Sequence, residues 1–325
     1  MRERRIFWLV CGFTFLYFLV RAQAQEKYPN RQIELVVAFA PGGSADIATR
    51  IYSDDLAQAL KVPITVVNRA GGAGIQGTSY VVKAKKDGYT LFGSSGTPLV
   101  IMPAISKEVT YNPLKDLIPL GHFGFAPSVF AVRSDCPFKT LEELVEYARR
   151  NPGKLKNGAG GLGTESYINL EILSSKTKIK ITTIPFKSGG EAMPALLGGH
   201  VDMSSNTLAT IGPQIKAGKL RGLAISSKTR HSDFPNMPTT AELGYPEANF
   251  CVWFGTFAPA GVPQSVLNVL IPVLERVFKN PEVVDRAMKA GITVEYKGPE
   301  GLRKSMESEI RIVEKVAQEA NLIEK

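Results

Sequence analysis

Short runs of apolar residues alternate with segments of helical periodicity along most of the chain. This alternation is typical of α/β proteins, in which the strands of a mostly parallel sheet are joined by helices. The pattern predicts nine strands, at residues 33–39, 64–67, 89–92, 129–132, 179–184, 201–204, 220–226, 251–257 and 292–296. Helices are expected in the intervals between these strands.

Three of the predicted helices have recognisable ends or faces. The first ends before Pro63, because a residue that precedes proline avoids helical backbone. A second begins with the capping box Thr140 to Glu143 and ends at Asn151. The apolar faces of the first helix and of a long C-terminal helix are formed by Ile47, Ile51, Leu56 and Leu60, and by Leu302, Met306, Ile310, Val313 and Ala317.

One unit recurs along the chain: an apolar strand, a loop of Gly, Ser and Thr residues, and the start of a helix. It occurs at residues 39–44, 92–97 and 158–166. Ligands bind at the carboxyl ends of strands in open α/β sheets, and glycine loops at helix N-termini offer unpaired N–H groups to an anion. The loops therefore predict a cleft for a phosphate or a carboxylate. Ser44 as an N-cap and Asp46 in the first turn would also stabilise a helix without any ligand.

The glycine loops do not match the motifs of nucleotide-binding or hydrolytic sites. None carries the Lys-Ser/Thr pair that a P-loop requires after its last glycine. A GxGxxG pattern occurs at residues 72–77, but the strand that follows it ends in Gly93 and lacks the acidic residue that would bind a ribose. The same pattern at 158–163 follows residues 154–157, which make a poor buried strand. Ser44 lacks the glycine spacing of a nucleophile elbow, so nothing indicates a catalytic serine.

The first 24 residues have the composition of a secretory signal peptide: arginines at the start, an apolar run over residues 6–20, and small residues at Ala22 and Ala24. The apolar run is shorter than the roughly 18 residues of a membrane-spanning helix. Cleavage after Ala24 removes four arginines and one glutamate and so lowers the formal charge from +9 to +6. The remaining basic residues are scattered, so nucleic acid is not an expected partner.

The chain of 325 residues is long enough for two domains or one large α/β domain, and its 44% hydrophobic residues suffice for a core. Cys136 and Cys251 remain after cleavage, and a disulfide between them and two separate buried thiols are both open alternatives. With no CxxC motif and with His122, His200 and His231 at unrelated spacings, neither a metal site nor a catalytic base is indicated.

Eight motifs in order give the chain a resemblance, over essentially its whole processed length, to a known family. It resembles the periplasmic receptors of tripartite tricarboxylate transporters, the TctC or Bug solute-binding proteins. The motifs are YPNRQI (28–33), FAPGGSAD (39–46), VNRAGGAG (67–74), KDGYTL (86–91), LGGHVD (197–202), GKLRGLA (218–224), PTTAELGY (238–245) and WFGTFAPAGVP (253–263).

The resemblance implies a two-lobed periplasmic binding protein of the type II fold. Each lobe would have a central, mostly parallel sheet flanked by helices, with lobe 1 at residues 25–124 and 246–325 and lobe 2 at 125–245. Two crossing strands, near 125–132 and 252–257, would join them. The family further implies a monomer without catalytic activity, metal or cofactor, whose partners are a small organic carboxylate and the membrane subunits of a transporter.

Carried over residue by residue, the resemblance implies that loops of both lobes grip a ligand carboxylate, often through bridging waters. We expect neutral donors to do most of the gripping, with Asp46 orienting Ser44 and the loop amides because an ionised aspartate repels a carboxylate. The expected ligand-binding residues are Phe39, Gly43, Ser44, Ala45, Asp46, Ser95, Thr97, Gly161, Gly163, Thr164, Ser166, Lys187 and Asn206.

One local departure from the family concerns Ser204 and Ser205, where a bulkier apolar or acidic residue is common. Smaller side chains would widen the pocket, so that an aromatic acid fits beside Phe39. The sequence thus predicts capture of a mono- or dicarboxylate. Two other functions stay open: a secreted α/β enzyme acting on a carboxylate or phosphate ester, and a ligand-sensing input to a membrane signalling protein.

Overall fold

The computed structural model describes residues 27–319, so the predicted signal peptide at residues 1–24 lies outside the described residues. The strands are β1 (Ile33–Val37), β2 (Ile64–Asn68), β3 (Thr90–Ser95), β4 (Leu117–Ala126), β5 (Ser128–Arg133), β6 (Lys156–Ala159), β7 (Thr182–Pro185), β8 (Met203–Thr207), β9 (Leu220–Ser226), β10 (Val252–Pro259) and β11 (Thr293–Lys297). The helices are α1 (Ser44–Leu60), α2 (Ile75–Val82), α3 (Met102–Ile105), α4 (Pro113–Asp116), α5 (Leu141–Arg150), α6 (Glu165–Thr177), α7 (Gly189–Leu197), α8 (Leu208–Lys216), α9 (Gln264–Phe278), α10 (Pro281–Lys289) and α11 (Pro299–Glu319).

The strands form two sheets, and we call the sheet of six strands with its helices lobe 1 and the sheet of five strands with its helices lobe 2. Lobe 1 has the strand order β11-β4-β10-β3-β1-β2, and lobe 2 has the order β7-β6-β8-β5-β9. The predicted two-lobed α/β fold is confirmed. No helix in residues 27–319 is both long enough and apolar enough to cross a membrane.

The expectation of mostly parallel sheets is wrong, because both sheets are mixed. In lobe 1, β1 runs parallel to β2 and β3, whereas β10 is antiparallel to β3 and β4, and β4 is antiparallel to β11. In lobe 2, β6 is parallel to β7 and β8, but β5 is antiparallel to β8 and β9. β4, at which the chain leaves lobe 1, therefore runs in the same direction as β1, β2 and β3. β10, at which the chain re-enters lobe 1, runs against them, as does β11.

The chain passes between the lobes twice. Only Pro127 separates β4, which belongs to the sheet of lobe 1, from β5, which belongs to that of lobe 2. The return runs through residues 227–251, after which β10 pairs only within lobe 1. Of the two expected crossing segments, 125–132 therefore spans both sheets, whereas 252–257 lies within one.

Packing follows the alternation of strand side chains. In β5, Phe130 and Val132 enter one hydrophobic cluster and Val129 and Ala131 enter another, on the opposite face of the sheet. Lobe 1 is held by a single larger cluster in which β1, β3 and β10 are buried between helices. Each lobe thus has its own core, and the cluster of lobe 1 also takes in Ile168 of α6 and Ala209 of α8, where the lobes touch.

The helix boundaries agree with the sequence pattern at most ends. The first helix stops at Leu60, and Glu143 N donates to the Thr140 hydroxyl at the start of α5. The expected N-cap at Ser44 is wrong: Gly43 is the N-cap of α1 and Ser44 is its first helical residue. The expected apolar face of α11 is buried at Leu302, Met306, Val313 and Ala317, with Ile310 partly buried.

Candidate functional site

A cavity lies between the lobes at the carboxyl ends of β1, β3, β6 and β8. The lobes leave it about 40 Å³ of space for the centres of water-sized molecules, so the cavity is closed down to a small volume in this structure. Nine of the thirteen predicted residues line it: Phe39, Gly43, Ser44, Ala45, Ser95, Thr97, Thr164, Ser166 and Asn206. The structure thus brings both lobes' loops to one place, as expected from the topology of parallel strands.

Four predicted residues do not line this cavity. Asp46 lies behind the first loop, where its carboxylate bonds to protein groups. Gly161 and Gly163 lie where the lobes touch: a Cβ added at Gly163 would be 2.7 Å from Met102 Sδ, and one at Gly161 would be 3.5 Å from Ala73 Cβ. Lys187 is exposed, and its N–H donates to Glu191 Oε2.

Seven further residues line the wall but were not among the expected ligand-binding residues: Gly160, Glu165, Ser188, Gly189, Ser205, Thr207 and Val252. Of these, only Ser205 was expected beside the pocket. A sequence signal existed for Ser188, since Ser188 and Glu191 have the spacing of a capping box, and Glu191 N donates to the Ser188 hydroxyl. Glu165 had no such signal, because an acid in the first turn of a helix is ordinarily a solvated residue that complements the dipole.

The N-termini of four helices meet at the cavity. The N-caps of α1, α6, α7 and α8 are Gly43, Thr164, Ser188 and Thr207, and all four line the wall. The first N–H groups of a helix have no partner within it, and the helix dipole adds positive potential at that end. No Lys, Arg or His is among the lining residues. The cavity is therefore built to hold an anion by main-chain groups.

Two serine hydroxyls add donors to these main-chain groups. Ser44 and Ser95 line the cavity, and their hydroxyls have no hydrogen-bond partner among the described residues. Other side chains of the wall are already engaged: Thr164 Oγ1 accepts from Tyr167 N and donates to Gly161 O. Asn206 Nδ2 likewise donates to Gly189 O at 3.0 Å. Ser44 and Ser95 are thus the available hydroxyls of lobe 1.

Asp46 holds the first loop in place. Its Oδ2 accepts from Gly42 N at 3.0 Å, and its Oδ1 accepts from Arg50 Nε at 2.9 Å and from Asn68 Nδ2 at 2.8 Å. Asn68 Nδ2 also donates to Phe39 O at 2.9 Å. Asp46 therefore orients a loop amide, as expected, but the amide is that of Gly42, and no bond joins Asp46 to the Ser44 hydroxyl.

Ser204 and Ser205 are both buried in β8 but only Ser205 reaches the cavity. Ser204 Oγ donates to Gly158 O at 2.6 Å, and Ser205 Oγ donates to Ser166 O. These bonds fasten β8 to β6 and to α6. The small side chains thus serve the packing of lobe 2 as well as the width of the cavity.

Glu165 places a fully buried carboxyl group in the cavity wall. Its Oε2 accepts from Thr97 Oγ1 at 2.5 Å, and its Oε1 has no partner among the described residues. Burial raises the pKa of Glu165 to about 8 against the opposing effect of the Thr97 hydroxyl. Glu309, whose Oε2 accepts from Trp253 Nε1 at 2.6 Å, adds to this rise in pKa.

A larger groove lies on the other side of the extended segment at Cys251 and Val252, which also bounds the cavity. Cys251 lines the groove and its neighbour Val252 lines the cavity, as alternation along extended chain requires. Three of the four Lys and Arg side chains that line the groove, Lys216, Arg230 and Lys289, are each paired with a carboxylate. The groove also meets the C-terminal parts of α8 and α10, where the dipoles disfavour anions. The cavity is therefore the better candidate site.

Neither a cysteine nor a histidine is among the residues that line the cavity. Cys136 and Cys251 are free and half-buried, so of the two open alternatives the structure has the separate thiols. His122 Nδ1 bonds to Glu295 O at 2.6 Å. Within residues 27–319 no three His, Cys, Asp or Glu side chains are placed to hold a metal ion.

Comparison with known proteins gives the same family as the motifs. Residues 48–324 match the family model described as the tripartite tricarboxylate transporter family receptor, TctC. The chain is 33% identical over 287 residues to protein BugT of Bordetella pertussis, a match that covers 88% of this chain and 88% of BugT.

Solved structures with the same fold include proteins with bound carboxylates. The periplasmic binding protein BugD has a TM-score of 0.88 at 28% identity and covers 92% of this chain and 100% of its own. An R. palustris protein with adipate has a TM-score of 0.87 at 27% identity, covering 90% and 98%. MatC from Rhodopseudomonas palustris with bound malate has a TM-score of 0.84 at 28% identity, covering 89% and 99%.

Proposed function

The chain belongs to the tripartite tricarboxylate transporter receptor family, and on that premise we propose that it captures a small organic mono- or dicarboxylate between its two lobes. It presents this ligand to the membrane subunits of a tripartite tricarboxylate-type transporter. We further propose that it acts in the periplasm as a monomer after cleavage behind Ala24, and that it has no catalytic activity. Its lobes would comprise residues 25–124 with 246–325, and 125–245.

The convergence of four helix N-termini on one cavity is the observation that supports this function. Together with the hydroxyls of Ser44 and Ser95, these ends supply donors for one carboxylate without a cationic side chain. Neutral donors cost less to desolvate than a buried ion pair, so the ligand is held yet released. Bound adipate and malate in two structural relatives support the same ligand class.

Thermal shift measurements with a panel of carboxylates, including malate and adipate, test the proposal. A ligand at about 100 times its dissociation constant adds roughly 2.7 kcal/mol of stability. The matching diamides, which lack the charge, are the control and should give no shift. A panel in which no carboxylate raises the melting temperature, while a carboxylate or phosphate ester is turned over, contradicts the proposal and favours the secreted enzyme.

Substitutions in the wall then locate the site. Ser44→Ala and Ser95→Ala should each weaken carboxylate binding about tenfold, since each removes a hydrogen bond to a charged group worth about 1.5 kcal/mol or more. Their melting temperatures should match that of Ser232→Ala, a control at an exposed serine. Thr164→Val should weaken binding too, but it also removes the cap of α6 at a cost of about 1 kcal/mol, so Thr164→Ser is its control. Unchanged affinity in all three variants would place the site elsewhere.

A further inference from the structure

Glu165 crosses the boundary between the lobes. It is the first residue of α6 in lobe 2, but its carboxyl lies against Thr97, Gly96 and Trp253 of lobe 1. A Cβ added at Gly96 would be 2.8 Å from Glu165 Oε1 and 2.6 Å from Trp253 Nε1. The carboxyl therefore fills a slot to which both lobes contribute.

The hydrogen bond between Glu165 and Thr97 has two possible directions. A threonine hydroxyl has one proton to donate. If Glu165 is ionised, that proton is committed to Glu165 Oε2, and Thr97 Oγ1 offers only lone pairs to the cavity. If Glu165 is neutral, its own proton on Oε2 is donated to Thr97 Oγ1, and the Thr97 hydroxyl is free to donate into the cavity. A carboxylate ligand accepts hydrogen bonds only, so it favours the second arrangement.

We propose that Glu165 is a positioning residue for the ligand: it is neutral in the complex and donates to Thr97, so that the Thr97 hydroxyl donates to the ligand carboxylate. Capture of the anion then takes up one proton from solution at Glu165 Oε2 when Glu165 was ionised beforehand. The inference rests on the proposed function, since it concerns the same cavity and the same class of ligand.

The titratable groups around Glu165 favour its neutral form. Glu309 of α11 contributes a further acid, and burial raises its pKa to about 7. Burial also raises the pKa of the Cys251 thiol to about 12, and burial lowers that of His122, whose ring centroid is 6.1 Å from that of Trp253. No Lys or Arg side chain pairs with Glu165 among the described residues.

The arriving ligand determines the sign of the coupling. The N-terminus of α6 favours negative charge, both on an ionised Glu165 and on any anion that binds in the cavity. The negative charge of a ligand bound in the cavity raises the pKa of a carboxyl group in the wall. Ligand binding and protonation of Glu165 therefore reinforce each other, whatever the pKa in the free protein.

The expected effect is a loss of affinity in alkaline solution. Above the pKa of Glu165 in the ligand-free protein, the dissociation constant rises about tenfold per pH unit. With the lobes placed as they are in this structure that pKa is about 8, and the dissociation constant then rises roughly 30-fold between pH 7 and pH 9.5. Proton uptake on binding is about half a proton at pH 8 and approaches one at higher pH.

Calorimetric titration with malate and with adipate, from pH 6.5 to 9.5 in buffers of different ionisation enthalpy, measures both the affinity and the protons taken up. Both probes are dianions throughout this range, so their own titration does not contribute. Glu165→Gln should remove the pH dependence and the proton uptake, because an amide donates to Thr97 at every pH. Glu309→Gln is the matched control and should retain both. A pH-independent affinity in the unmodified protein, or an unchanged slope in Glu165→Gln, overturns the proposal.

Two further measurements separate this inference from the proposed function. Thr97→Val should weaken binding about tenfold at pH 7, whereas Thr97→Ser keeps the hydroxyl and should bind more tightly than Thr97→Val. Carbon-13 NMR of the glutamate carboxyls, with Glu165→Gln for assignment, follows the protonation of Glu165 directly in the ligand-free protein and in the complex with the carboxylate that binds. A panel in which no carboxylate binds contradicts the proposed function, whereas a Glu165 that titrates near its ordinary value of 4.5 in the complex overturns the inference alone.

Discussion

Asp46 is a charged residue in a ligand loop whose role is to shape the loop itself. It is 3% exposed and accepts three hydrogen bonds, from Gly42 N, Arg50 Nε and Asn68 Nδ2. Asn68 links the same carboxylate to Phe39 O at the other end of the loop. The amides of the first loop are therefore fixed before a ligand arrives, and binding costs less conformational entropy.

Replacing Asp46 with asparagine should destabilise the protein and weaken ligand binding together. An amide accepts at one atom only, so at least one of the three donors loses its partner, at a cost of about 1–3 kcal/mol. Urea denaturation measures the loss of stability, and titration with a carboxylate that the unmodified protein binds measures the affinity. Asp54→Asn is the control, since Asp54 is an exposed residue of the same helix, and it should change stability by less than about 0.5 kcal/mol. Equal effects of the two substitutions would contradict this role.

At the scale of elements, the sequence predicted the helices and strands that are determined by residues close together in the chain. The helices α1, α5 and α11 have apolar periodicity, and α5 also has a cap. Each of the nine predicted strands overlaps a strand of the structure. β6 was missed because Lys-Asn-Gly-Ala is a strand only through its pairing with β7 and β8. β4 was missed because its glycines resemble a loop. A Cβ at Gly124 would be 2.2 Å from Thr293 O, so the glycine there allows β11 to approach.

The same distinction holds for the candidate site. The loops after β1 and β3 were predicted because strand, glycine loop and helix follow one another in sequence. The ends of α7 and α8 join the cavity only through the topology of lobe 2. Glu165 is a wall residue because the lobes enclose it, and no local pattern encodes that enclosure.

The acids of α6 and α11 should make stability fall as the pH rises. Burial raises the pKa of Glu165 to about 8 and that of Glu309 to about 7, from an ordinary value of 4.5. Between these values the folded state holds protons that the unfolded chain has released, so stability is lost as the pH rises toward 8. Below 4.5 both states are protonated and the contribution is complete.

Comparison with glutamine variants isolates this effect from other carboxylates. The stability of the unmodified protein relative to Glu165→Gln should fall by up to about 4 kcal/mol between pH 4.5 and pH 8. The stability of the unmodified protein relative to Glu309→Gln should fall by less, and this fall should end near pH 7. Urea denaturation at intervals of half a pH unit gives both differences, and a constant difference across this range contradicts the raised pKa.

At the scale of the whole molecule, the lobes meet through glycines. A Cβ added at Gly190 of α7 would be 2.6 Å from the carbonyl carbon of Gly42 in lobe 1. One added at Gly43 would be 3.0 Å from Ser188 Cβ. Main chain thus approaches main chain across the mouth of the cavity, which leaves no room for a side chain between the lobes.

Gly190→Ala should therefore hinder the approach of the lobes without harming either. Alanine stabilises a helix by about 1 kcal/mol relative to glycine, so the melting temperature should not fall. Affinity for malate or adipate, whichever the unmodified protein binds, should fall at least tenfold, and small-angle X-ray scattering should show less compaction on saturation. Gly212→Ala in α8 is the control, because its nearest neighbour would be 3.4 Å away. Full compaction and full affinity in Gly190→Ala would contradict this view of the mouth.

The four helix ends at the cavity also bear on how such a receptor changes over generations. The groups that hold the anion are main-chain amides, which every residue except proline supplies, so few single substitutions remove them. Phe39 and Val252 form the apolar part of the wall, and their replacement alters the shape of the remaining space. A lineage with this architecture can exchange one acid for another by small steps, and it remains a carboxylate receptor at each of them.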